Sequence, residues 1–142
     1  MRFVITAAAD PNKAPEDKPF DALLMATYMR FNEEMFKAGV LIASEGLNPG
    51  VKGARVGVVD GKRVVLDGPY TESKELVGGF YLIEVGSLDE AIAWALRSPS
   101  GFGSDDVLTV HPLTGAGDLP PEIRKIITDA APTWSAAFSR SK

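Results

Sequence analysis

Residues Leu66 to Val85 read LDGPYTESKELVGGFYLIEV, and the succession of residue types in this stretch decides how the chain folds. Asp67-Gly68-Pro69 is turn chemistry: a carboxylate able to cap nearby N–H groups, a glycine free to take positive φ, and a proline that fixes φ and ends a ladder. The charged residues Glu72, Lys74 and Glu75 follow, and Gly78-Gly79 then leads into Phe80–Val85, an apolar run broken only by Glu84. The stretch therefore predicts the end of one strand, a sharp turn that aims Tyr70 and the charged residues, and a glycine-opened buried strand. Gly78-Gly79 suits close packing or a bulge. It does not suit a phosphate loop, because no glycine-rich fingerprint follows a strand and opens a helix.

Upstream, Arg2 to Ala7 alternates, with Phe3, Ile5 and Ala7 on one side and Arg2, Val4 and Thr6 on the other, as in a strand whose faces are covered differently. The proline-rich segment Asp10–Pro19 predicts a surface loop. Phe20, Leu23, Leu24, Tyr28, Phe31 and Met35 then recur close to a 3.6-residue period and predict a helix, with Gly39 as its terminator and Val40–Ala43 as a buried strand. Asp60-Gly61 between the valine-rich runs of Arg55–Leu66 is the signal of a type I′ hairpin. Downstream, Ser87-Leu88-Asp89-Glu90 is a capping box opening a second helix with Leu88, Ala91, Ile92, Ala95 and Leu96 as its apolar face, and Val107–Leu113 is the last strand.

Strand, helix, strand, hairpin, strand, helix, strand is the pattern of an α+β, ferredoxin-like antiparallel sheet with two helices on one face and an extra β-hairpin. Residues 1–113 make up this domain. Residues 114–142 form a helical extension, opened by Pro120-Pro121, carrying Ile123, Ile126, Ile127 and Ala130 on one face, ended by Pro132, and followed by Trp134 and Phe138 at helical spacing. It is expected to pack on its own domain or on a partner chain. The sheet face away from the helices keeps apolar side chains with no element sized to cover them. Each Val, Leu or Phe left in water forfeits roughly 1.5–3 kcal/mol, so a homodimer is expected.

The composition narrows the classes of function. A chain of 142 residues, 45% hydrophobic and 24% charged, is ordinary for one soluble globular domain, and no apolar run approaches a membrane span. The short apolar run near the N-terminus reads as a strand rather than a signal peptide, which makes the cytoplasm the expected compartment. The absence of cysteine excludes disulfides, thiol nucleophiles and thiolate metal sites. His111 is the single histidine, so no multi-histidine metal site forms within one chain. No metal and no cofactor are assigned. The 15 basic and 19 acidic residues are interspersed and sum to −4, without a basic stripe, which argues against direct nucleic-acid binding.

Taken together, DGPYTESKELVGGFYLIEV, the preceding KAGVLIASEGLNP and the following SLDEAIAWALRSP resemble the DGPF-domain proteins of the YCII-related family over roughly residues 1–113. Tyr70 stands where the namesake motif has Phe, and His111 where the family often has Arg. The resemblance implies a dimeric α/β barrel, in which two ferredoxin-like sheets face each other across a cleft. It also implies an acid/base site between the sheets, and some relatives are associated with sigma factors.

The candidate chemistry gathers at strand ends and turns. His111 is the natural proton carrier near neutral pH. Asp67 is a turn former that can also act as a base, and Glu45 lies where an apolar strand opens into the loop Ser44–Gly50. Tyr70, Lys74, Glu75 and Tyr81 are candidate ligand contacts. These residues are expected to bound one pocket between the facing sheets and to serve a cofactor-independent small-molecule enzyme working by proton transfer. The alternative is a ligand-binding or regulatory module linked to sigma-factor-dependent transcription.

Overall fold

The computed structural model describes residues 1–8, 22–47, 53–66, 77–99 and 107–138. In chain order the elements are β1 (Arg2–Ala8), α1 (Ala22–Lys37), β2 (Leu41–Gly46), β3 (Arg55–Val59), β4 (Lys62–Leu66), β5 (Val77–Glu84), α2 (Leu88–Arg97), β6 (Leu108–Pro112), α3 (Pro121–Ala130) and α4 (Pro132–Phe138). Four strands form an antiparallel sheet in the order β2-β5-β1-β6. With the β3–β4 hairpin set aside, this order and the two crossover helices are the ferredoxin-like arrangement.

Strand alternation decides what is buried. Phe3 and Ile5 of β1 lie opposite Ile83 and Tyr81 of β5, and all four meet Phe31 and Met35 of α1 and Ala91 of α2 in the core. Leu41, Leu108 and Val110 complete the core-facing side of the outer strands. The helices bury less of their apolar surface than the sequence pattern predicts. In α1 only Phe31 and Met35 are buried, and Leu23 and Leu24 are exposed. In α2 only Ala91 is buried, and Leu88, Ile92 and Leu96 face outward, because the contact is made through small Ala91 and Ala95 and through Trp94, which packs on Phe31.

Local chemistry sets the ends of these elements. Gly39 has a φ of 75°, the left-handed conformation that stops α1 and turns the chain into β2. Ser87 accepts a hydrogen bond from the Glu90 N–H, and the Glu90 carboxylate accepts from the Gly86 N–H, one residue earlier than in the standard capping box. Asp60 and Gly61 both have positive φ, as the type I′ hairpin requires, and β3–β4 forms a two-stranded sheet of its own.

Among its described residues the C-terminal extension contains two α-helices, preceded by a 3-10 turn over Ala116–Asp118, where the sequence predicts one helix. Pro132 follows the end of α3 and opens α4. No residue of α3 is buried, and Ile123, Ile126 and Trp134 are exposed. No helix among the described residues is long and apolar enough to cross a membrane.

Candidate functional site

The same alternation that builds the core sends the intervening residues to the opposite face of the sheet. One row across the four strands, from β2 to β6, is Glu45, Phe80, Thr6 and Thr109. The next is Ala43, Leu82, Val4 and His111. None of these eight residues is buried. The face thus carries an apolar patch of Val4, Phe80 and Leu82 on the two central strands, with Thr6 beside it and Arg2 opposite Glu84 in the next row, bordered by a carboxylate on one edge strand and an imidazole on the other.

His111 and Thr6 form one polar pair on this face. His111 Nε2 and Thr6 Oγ1 lie 3.3 Å apart across the β1–β6 ladder. The bond orients the ring and leaves Nδ1 on its far side. Thr6 was not among the residues singled out from sequence. The signal for it was present in the β1 alternation, which sets Thr6 with Val4 on the side away from Phe3 and Ile5.

Glu45 stands on the same face as His111 but at the opposite edge. Three strand spacings separate β2 from β6, about 14 Å at the usual distance between neighbouring strands. Its carboxylate makes no hydrogen bond or ion pair among the described residues. Its backbone is held more firmly: a Cβ built on Gly79 would lie 2.8 Å from the Glu45 carbonyl oxygen and 3.3 Å from Gly46 Cα. Only glycine permits β2 and β5 to approach this closely. One residue away, the β1–β5 register skips Gly78, so the Gly-Gly pair provides both a close approach and a bulge.

Tyr81 is placed differently from the sequence expectation. It faces the helices, is 7% exposed, and meets Phe31 edge-on with ring centroids 5.7 Å apart. It is a core residue on the opposite side of the sheet from His111, so it does not line the open face. Phe80, its neighbour in sequence, takes that position. Asp67, Gly68, Pro69, Tyr70, Glu72, Lys74 and Glu75 lie outside the described residues. Among the described residues no group of three or more His, Cys, Asp or Glu side chains is arranged to hold a metal ion.

The YCII-related domain model matches residues 1–113. An uncharacterised protein of Rhizobium meliloti (strain 1021) is 33% identical over 105 residues, covering 72% of this chain and 85% of the relative. Among solved structures, 5-chloro-2-hydroxyhydroquinone dehydrochlorinase from Burkholderia phenoliruptrix AC1100, determined with 2,5-dihydroxybenzoquinone, aligns with a TM-score of 0.41 and 17% identity, over 84% of this chain and all of its own.

Proposed function

The chain belongs to the YCII-related family, and on that premise we propose that it is a cofactor-independent enzyme acting by proton transfer on a small molecule held against the open face of its sheet. A second copy of the chain closes the cleft. The observation that carries this proposal is the His111–Thr6 pair on a face whose central residues, Val4, Phe80 and Leu82, are apolar and unburied. A concave apolar site with a few fixed polar groups is what a small ligand needs, and an apolar sheet face becomes concave when a second one is laid over it.

Histidine is the residue type best suited to exchange protons near neutral pH. With Nε2–H donating to the Thr6 hydroxyl, the lone pair sits on Nδ1, and that atom takes a proton from the bound molecule. Returning a proton elsewhere on the same molecule completes an isomerisation that needs no redox partner. Asp67, Tyr70, Lys74 and Glu75, in the segment joining β4 to β5, are proposed to supply polar contacts to the ligand.

Native mass spectrometry of the full chain at micromolar concentration tests the proposal. The expected species has the mass of two chains plus a small molecule, and His111→Gln should release that molecule while leaving the dimer and its melting temperature unchanged. A single-chain mass with nothing bound would sink both the cleft and its ligand.

A further inference from the structure

We propose that the acid–base site is composite, with His111 and Thr6 contributed by one protomer and Glu45 by its partner, so that each dimer holds two sites and a lone chain holds none. This deepens the cleft proposal above and rests on it. Arg2 and Glu84 share the open face, but its two edge-strand groups, Glu45 and His111, cannot within one chain act on the same small molecule at hydrogen-bonding distance. Glu45 is on edge strand β2 and His111 on edge strand β6, about 14 Å apart across the sheet.

Two-fold symmetry removes this separation. If the axis runs along the strands, midway between two facing sheets, β2 of one protomer lies across from β6 of the other, and β5 lies across from β1. The apolar patch of Val4, Phe80 and Leu82 then meets its own counterpart. Each Glu45 faces the partner's edge strand that carries the imidazole. Facing sheets pack about 10 Å apart, a gap that a glutamate and a histidine reaching in from opposite sides can share with a small molecule.

The other way of stacking two sheets face to face puts the axis in their plane but across the strands. That places β2 over β2 and β6 over β6, so both Glu45 carboxylates would share one edge of the cleft and both imidazoles the other. Confining two carboxylates together is unfavourable, whereas a carboxylate opposite an imidazole is complementary. The Gly79 contact holds Glu45 in place for this role. By locking β2 onto β5 at the Glu45 carbonyl, it fixes the backbone from which the carboxylate projects.

The chain has no cysteine, so single engineered thiols test this directly. Glu45→Cys and His111→Cys chains are prepared separately, mixed, and treated with a bis-maleimide matched to the roughly 10 Å between facing sheets. Cross-linked dimer is expected from the mixture and not from either variant alone. Cross-linking of Glu45→Cys with itself, or of His111→Cys with itself, would establish the other axis and overturn the composite site.

A second measurement leaves the residues intact. In wild-type dimers mixed from isotope-labelled and unlabelled chains, isotope-filtered NOEs are expected between the ring protons of His111, the single histidine, and the Glu45 side chain of the other protomer. A stable dimer lacking those NOEs overturns the composite site while leaving the cleft reading in place. A chain that sediments as a monomer overturns both.

Discussion

The two faces of the four-stranded sheet are made by the same strands, residue by residue in alternation, yet they have different fates. Phe3, Ile5, Tyr81 and Ile83 point to the helices and are between 0% and 7% exposed. Val4, Thr6, Phe80 and Leu82, their immediate neighbours in sequence, are only partly covered. Hydrophobicity does not separate the sets, since Phe80 and Leu82 are as apolar as Tyr81 and Ile83. What separates them is the presence of α1 and α2 on one side. The covered face stabilises the domain, and the open face is the one on which the proposed site lies.

The largest expected effect tests that division. Phe3→Ala removes a fully buried ring from the centre of the core and should destabilise the chain by about 3–5 kcal/mol in denaturant unfolding. Leu82→Ala, on the same sheet with the opposite parity, should cost less than about 1.5 kcal/mol in dilute solution, because the side chain is only partly buried there. Equal losses would show that the open face is packed like a core, and the comparison would collapse.

A smaller effect is expected where the two faces share one structural support. Gly79→Val would drive a side chain into the Glu45 carbonyl and Gly46, both backbone and unable to swing aside. Forcing β2 away from β5 should cost about 1–3 kcal/mol. The Gly79→Val chain should also lose ligand and dimer together, measured by native mass spectrometry, because Glu45 moves with β2. A variant of unchanged stability and unchanged ligand retention would mean that the close approach positions nothing.

How far the sequence could be read follows from the same alternation. Arg2–Ala7 alternates openly enough for its two sides to be assigned, and the hairpin, the Gly39 terminator and the Ser87 cap each carry local chemistry that acts without help from the rest of the chain. The run Phe80–Val85 is apolar on both parities, which is why Tyr81 could be read as lining the cleft. The one polar mark in that run, Glu84, shares its parity with Phe80 and Leu82, and that was the signal available. The exposure of Leu23, Leu24, Leu88, Ile92 and Leu96 was not legible, because periodicity shows which residues share a helix face but not how much of that face the sheet can cover. The edge positions of Glu45 and His111 depend on strand order, a long-range property that no local motif encodes.

The smallest expected effect bears on the polar pair itself. Thr6→Val keeps the shape and the β-branching that suit a strand, and it removes only the hydroxyl that meets His111 Nε2. His111 is exposed, so water replaces the lost partner, and the change in stability should stay within about 0.5 kcal/mol in denaturant unfolding. Ligand retention should respond instead, because an imidazole released from Thr6 can turn about its side-chain bonds and no longer presents Nδ1 in one direction. Native mass spectrometry of the Thr6→Val dimer should therefore show weaker retention at an unchanged melting temperature. A loss near 2 kcal/mol would mark the hydrogen bond as a buried structural link, with the open face acting as a second core. Unchanged stability with unchanged retention would remove Thr6 from the site and leave His111 to be oriented by something else.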